Sequence, residues 1–231
     1  MPRAEIVRQM FAAVAPRYDL VNRVLSLGID QGWRRAAARW TGVGQGGRVL
    51  DVCAGTGDLA CALAARGARV CGSDFTPEML QLAQRKRVPA RATAPFWLAG
   101  DTMHLPFRSA SFDAATVAFG IRNVADPVQG LREMGRVVRP GGTVVVLEFC
   151  KPRLPLVAGL YGLYFRQVVP RLGRWLSGER LGAYSYLPAS VAAFPEREAF
   201  LQLLRDAGLE SPEQRVLTLG IAALYRAAVP R

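Results

Sequence analysis

The run Asp51-Val-Cys-Ala-Gly55-Thr-Gly57-Asp58 constrains this chain more than any other. The short apolar segment Arg48 to Cys53 leads straight into a glycine pair, after which Leu59 and Leu63 recur at helical spacing. A buried strand that ends in glycines at a helix start is the opening of a parallel βα unit. Glycine accepts positive φ and lets a ligand approach the backbone, and the free N–H groups of the new helix favour an anionic group. A second strand, Arg69 to Asp74, ends on an acid about 20 residues further on, where it is placed to accept hydrogen bonds from both hydroxyls of a ribose. Together these features describe an adenosine-type ligand across the C-terminal edge of a sheet.

Which nucleoside is a matter of charge. Gly55-Thr-Gly57-Asp58-Leu59-Ala60 formally fits the dinucleotide pattern G-x-G-x-x-A. Asp58, directly after the second glycine, would however set a carboxylate near a pyrophosphate, and Asp51 on the strand before the loop suits a cationic amine. A P-loop is excluded because no Gly-Lys-Ser/Thr follows. A zwitterionic amino acid carrying ribose and adenine fits Asp51, Gly55, Gly57 and Asp74 best, and S-adenosylmethionine is that molecule.

The rest of the middle segment repeats the unit. Further strands are expected at Phe96–Ala99, Ala114–Ala118 and Thr143–Glu148. Thr76-Pro77-Glu78 opens one helix, and Asp126-Pro127 opens another that carries Val128, Leu131, Met134, Val137 and Val138 and stops at Arg139-Pro-Gly-Gly142. A helix over Glu196–Ala207 and two strands, Val216–Leu219 and Ala222–Val229, close the chain as a hairpin. The fold class is α/β: a mostly parallel open sheet with helices on both faces and an antiparallel C-terminal hairpin. With 231 residues, 51% hydrophobic, the chain can bury a single large core. Residues 1–45 read as a helical cap, 46–149 as the ligand-binding core, 150–190 as an aromatic, basic insertion, and 191–231 as the closing helix and hairpin.

The formal charge of +12 decides little, since all basic residues but Lys86 and Lys151 are arginine and such a bias can reflect genome composition. The four cysteines form no CxxC pair and only one histidine is present, so neither a zinc site nor a disulfide framework is expected. The first residues hold no long apolar run, and no segment reaches the roughly 18–20 apolar residues that span a bilayer. A cytoplasmic protein is the expectation, with attachment to a membrane surface left open.

The Asp51-x-x-x-Gly55-x-Gly57 loop, Asp74 and the Arg139-Pro-Gly-Gly142 turn resemble the Rossmann-like class I S-adenosylmethionine-dependent methyltransferases. Several further phrases resemble, more narrowly, the UbiE/MenG family of quinone-biosynthesis C-methyltransferases. They include Ala15-Pro-Arg-Tyr-Asp19, Leu105-Pro-Phe107, Phe119-Gly-Ile-Arg-Asn-Val124, Leu147-Glu-Phe149, Tyr184-x-Tyr-Leu187 and Phe194-Pro195, in order over roughly residues 10–225. The chain departs near Asp30-Gln31, where similar members usually have a histidine followed by a basic residue, and at Ala118, where some carry serine. The resemblance implies methylation of a ring carbon of a polyprenylated quinol, either demethylmenaquinol or a methoxy-benzoquinol. It also implies donor contacts from Thr56, Asp74, Asp101 and Thr102.

A phenolic ring carbon is a poor nucleophile until its neighbouring hydroxyl loses a proton, so the site needs groups that favour a phenolate. Arg122 and Asn123, after the fourth strand, are expected to stabilise that phenolate and to orient a hydroxyl or water; Tyr18 is expected to close over the acceptor. His104 is expected to face solvent or to bond to the backbone rather than to act as a general base. Leu154 to Phe165 reads as a buried helix, although Arg166, Arg171, Arg174 and Arg180 among Trp175, Leu172 and Tyr164 make the blend of a lipid-facing surface. Peripheral contact with anionic membrane and pairing into a homodimer stay open as partners, and no nucleic acid is expected. A methyltransferase acting on RNA or another small metabolite is the alternative. Against an amino-group enzyme of that kind, Ala118-Phe-Gly-Ile-Arg122 stands where an Asn/Asp-Pro-Pro-Tyr/Phe phrase would be.

Overall fold

The computed structural model describes residues 4–178 and 183–231. The seven strands β1 (Arg48–Val52), β2 (Arg69–Asp74), β3 (Phe96–Ala99), β4 (Phe112–Ala118), β5 (Val138–Phe149), β6 (Glu210–Leu217) and β7 (Ala222–Ala228) form one sheet in the order β3-β2-β1-β4-β5-β7-β6. The first five pair in parallel, while β7 pairs antiparallel with both β5 and β6. Successive residues of each strand point to opposite faces, and both faces are covered. Val49, Val145 and Leu147 pack beneath α3 (Ile29–Trp40) and α4 (Asp58–Ala64). Leu50, Val117, Val144 and Val146 pack beneath α6 (Pro127–Val137) and α10 (Glu198–Asp206).

Strand order reverses between β1 and β4, and the loops leaving their C-terminal ends diverge there. Ligands of open α/β sheets bind at such a crevice. Cys53 follows β1 with φ 48° and Phe119 follows β4 with φ 58°. Non-glycine residues in this left-handed region cost about 1–3 kcal/mol each and cluster at functional sites.

Three segments differ from the sequence reading. Val138 is the first residue of β5 rather than part of the helix, because it pairs with Phe112 ahead of a register shift. Strand β6 begins at Glu210, six residues earlier than expected. It is an edge strand whose Glu213 and Arg215 are not buried, so its charges hide the alternation. Helix α7 (Pro155–Leu163) buries none of its residues and is therefore not the core helix its composition suggests. It continues through a π-helical turn, Tyr164–Val168, into α8 (Val169–Ser177). Pro170 accounts for the turn: it offers no N–H, and its ring crowds the carbonyl of Arg166. The cap comprises α1 (Ala4–Val14), α2 (Tyr18–Ser26) and α3, and α9 (Ala183–Ala193) lies against α1 and α8.

Candidate active site

Two cavities meet at the crevice. The first is a narrow cleft of about 120 Å³ lined by Gly55, Asp74, Asp101, Thr102 and Asn123, with Phe75 at its side. Asp74 is built in by the backbone: its Oδ2 accepts from the Gly55 N–H at 2.7 Å and its Oδ1 from the Thr76 N–H at 2.8 Å. Burial pushes its carboxyl above the ordinary range, and these two N–H groups oppose that shift. Asp101 accepts from the Met103 N–H at 2.9 Å, while Thr102 lies 3.4 Å from the Cys53 sulfur. Nothing lies within 4 Å of the position a Cβ would take on Gly55, so the turn leaves open space for a ligand group.

Asp51 sits beneath this turn, opposite Thr116 in the register of β1 and β4. Its Oδ1 accepts from the Thr116 hydroxyl at 2.8 Å, but its buried Oδ2 has no partner. Burial pushes this carboxyl up to about 7, with the Thr116 hydroxyl pulling the other way. Asn123 Oδ1 is likewise buried without a partner. Asp51 lines neither cavity, whereas Asn123 lines the cleft, where its orphaned acceptor and the open glycine turn fit a nucleoside that brings donors.

Thr56 and Gly57, expected to contact the donor, also have partners within the protein. The Thr56 hydroxyl donates to Asp19 of α2 and accepts from Lys86 at 3.1 Å, and it does not line the cleft. Lys86 also holds Asp19 at 2.7 Å and donates to Asp58. One ammonium thus ties the cap to the glycine turn and to the first residue of α4. A Cβ on Gly57 would meet the Trp97 ring at 2.3 Å, so that glycine makes room for packing.

The second cavity, about 460 Å³, is walled by the cap, by the π-helical turn and by α9. Its volume lies in the range of ligand sites, about 300–1,000 Å³, and most of its lining is apolar or aromatic. Phe11, Tyr18 and Phe119 belong to both cavities and form the junction. Arg122 lines the second cavity, whereas Asn123 lines the first, so the adjacent pair is split between them. Arg122 Nη1 donates to Glu148 Oε1 at 3.0 Å and to the Phe119 carbonyl, and its guanidinium lies 5.5 Å from the Phe149 ring centre. Burial pushes the Glu148 carboxyl upward and Arg122 draws it back. The Tyr18 hydroxyl is also pushed upward by burial, opposed by Arg34 and Arg122.

Sequence reasoning passed over Glu148, the partner of Arg122, although the Leu-Glu-Phe phrase contains it. It also passed over Lys86, whose signal was its rarity among arginines, and Phe75, exposed beside Asp74. His104 is exposed, as expected, and lies outside both cavities. Among the described residues no group of acids, cysteines and histidines could hold a metal ion.

A family model described as the ubiE/COQ5 methyltransferase family matches residues 2–229. A demethylmenaquinone methyltransferase of Deinococcus radiodurans is 50% identical over 225 residues, covering 96% of this chain and 92% of that protein. A protein named ubiquinone/menaquinone biosynthesis C-methyltransferase UbiE, from Geobacter sp. strain M21, is 45% identical and covers 96% of each. Among solved structures, a Haloferax volcanii complex of the Trm112 methyltransferase activator with a methyltransferase matches with a TM-score of 0.67 at 22% identity. It covers 96% of this chain and 98% of that one, which shows a shared fold. With a family match over nearly the whole length and a relative at half identity, the chain belongs to the ubiE/COQ5 methyltransferase family.

Proposed function

We propose that this protein transfers a methyl group from S-adenosylmethionine to a ring carbon of a polyprenylated quinol, in the biosynthesis of menaquinone or ubiquinone. The observation that carries this reading is the pair of cavities joined at Tyr18 and Phe119, one carrying Asp74, Asp101, Thr102 and Asn123 and suited to a nucleoside, the other apolar and aromatic. In the first, Asp74 serves the ribose hydroxyls, Asp101 and Thr102 flank the adenine, Asn123 faces the amino-acid end, and Asp51, outside the lining, acts on that end from beneath the glycine turn. The donor supplies an electrophilic methyl on a sulfonium. The protein's own task is placement, which is worth effective molarities of about 10⁵ M or more when the reacting atoms are aligned.

In the second cavity the ring lies against Tyr18, with one hydroxyl toward Arg122. Glu148 and the Phe119 carbonyl hold the guanidinium in place, where it stabilises the oxyanion that develops as the neighbouring carbon becomes nucleophilic. The apolar walls exclude water and take the first part of the prenyl tail. Incubation with methyl-deuterated S-adenosylmethionine and each reduced quinone precursor tests the reading. A product labelled on a ring carbon is expected, and label on oxygen or on none of the quinols overturns it.

Peripheral membrane contact belongs to the same reading. Leu154, Leu156, Leu160 and Leu163 on and beside α7, and Trp175 on α8, are exposed apolar groups near the second cavity, and Arg153, Arg166 and Arg171 are on the same segment. Arg180 lies outside the described residues. No described helix is long and apolar enough to cross a membrane. Co-sedimentation with anionic liposomes, weakened several-fold by Leu156→Asp, is the expected result.

A further inference from the structure

The second cavity has a second polar pole, made by Ser26, Asp30 and Arg34, to which no role has been given above. All three line the cavity, whose lining is mostly apolar apart from Asn22, Thr218 and Arg122. Asp30 and Arg34 are more than nine-tenths buried. The Ser26 hydroxyl donates to Asp30 Oδ1 at 2.7 Å, Gln31 donates to Oδ2 at 3.2 Å, and Arg34 Nε lies 3.4 Å from Oδ2. A glycine turn explains why a carboxylate reaches this wall. Leu27 and Gly28 are both left-handed, with φ 52° and 74°, so α2 ends and α3 begins within two residues and Ser26 folds back over Asp30.

This pole stands beside the junction with the donor cleft. The Arg34 guanidinium lies 5.3 Å from the Phe119 ring centre, Phe119 packs on Phe149 at 4.4 Å, and Arg122 lies 5.5 Å from Phe149. Two buried guanidinium–carboxylate pairs, Arg34–Asp30 and Arg122–Glu148, thus flank one aromatic pair. A cavity with two such poles matches an aromatic ring that carries two hydroxyls on opposite sides. The poles differ in what they present. At the first pole Arg122 lines the cavity and Glu148 does not, whereas at the other pole Asp30 lines the wall beside Arg34 and adds acceptor lone pairs.

We propose that Asp30 accepts a hydrogen bond from the second hydroxyl of the quinol and thereby selects the reduced ring over the oxidised quinone. A hydroquinol offers an O–H there. A quinone offers only a carbonyl, from which Asp30 can accept no hydrogen bond. Sites built to receive a substrate hydroxyl discriminate strongly against analogues that lack it, because the buried partner is left unpaired. Ser26 is a positioning residue in this scheme, since it fixes Oδ1 and leaves the remaining lone pairs for the ligand. The inference rests on the quinol reading above and names the group that reads the ring's oxidation state.

Binding of 1,4-dihydroxynaphthalene and of 1,4-naphthoquinone to the full chain, measured anaerobically by tryptophan fluorescence, tests it without turnover. The wild-type protein is expected to prefer the hydroquinol by about tenfold or more. Asp30→Asn, whose amide can donate to a carbonyl, is expected to bring the two affinities to within about threefold, and Asp30→Glu to restore part of the preference. Ser26→Ala, a milder change, is expected to erode the preference by a few-fold and stands in if the Asp30 variants melt early. An unchanged preference in folded Asp30→Asn, or in Ser26→Ala where the first does not fold, overturns the inference alone. Failure of the wild-type protein to bind either ring overturns the quinol reading beneath it.

Discussion

The donor cleft and the acceptor cavity are built by different means. The polar side of the cleft is assembled on backbone: two N–H groups hold Asp74, a glycine leaves space, and Asp74, Asp101, Thr102 and Asn123 fall within short turns after β2, β3 and β4. Val7, Arg8, Phe11 and Tyr18 of the cap close the cleft. The acceptor cavity is assembled from side chains brought together from residues 11–34, 119–122, 149–187 and 218–221. A backbone site needs a fixed local phrase and tolerates little change. A side-chain site is specified by volume and by two buried ion pairs, so its chemistry rests on a handful of polar residues in an apolar wall.

If the division is real, substitutions on the two sides have separable effects. The largest belongs to Arg122. Arg122→Met is expected to lower the methylation rate by about 10²–10³-fold, as loss of an oxyanion-stabilising donor does. S-adenosylmethionine affinity by calorimetry should stay within threefold. The same variant leaves Glu148 buried without its cation, which costs on the order of 3–5 kcal/mol, so its melting temperature falls as well. Arg122→Met combined with Glu148→Gln should recover much of that stability and none of the rate.

Asp74→Ala comes next and works the other way round. It strands the Gly55 and Thr76 N–H groups and removes the ribose contact, so donor affinity should fall by roughly 10–100-fold. Binding of a short-chain quinol, followed by fluorescence, should hardly change. A loss of quinol affinity as large as the loss of donor affinity would mean that the two cavities are one site.

The pH dependence of donor binding is a smaller effect. The Asp51 carboxyl stands at about 7 in the free protein, against 3.8 ordinarily, so the fold retains a proton that the unfolded chain releases between those values. The raised value therefore costs stability as pH rises from about 4 to about 7. A cationic amine favours the carboxylate, so binding it expels this proton. Donor affinity should weaken by about tenfold from pH 8 to pH 6, and Asp51→Asn should flatten the profile. Smallest is the tie between cap and turn. Lys86→Met removes the ammonium shared by Asp19, Asp58 and Thr56 and should raise the KM for S-adenosylmethionine by a few-fold, with kcat nearly unchanged.

The same contrast explains what could be read from the sequence. The mostly parallel sheet and the position of the glycine turn and Asp74 at strand ends are legible because local φ requirements and strand-end chemistry are written into neighbouring residues. The parallel core and the closing hairpin followed from apolar runs and their punctuation. The partners of Thr56, Asp19 and Lys86, are not legible because they lie 37 and 30 residues away in sequence. Helix α7 was misplaced because an apolar helix beside a ligand cavity has the composition of a core helix, and only its surroundings reveal its exposure. Glu148 is silent, and Asp30 shows only as a departure from the family pattern, because a buried acid declares itself only through the arginine that faces it.

The two-cavity account stands or falls on where the two ligands lie. A crystal structure of the protein with S-adenosylhomocysteine and a short-chain quinol should place the ribose against Asp74 and the ring between Tyr18 and Arg122, with the sulfur pointing past Phe119 toward a ring carbon. A ring seated in the Asp74 cleft, or a nucleoside in the cavity of Arg122, would contradict it.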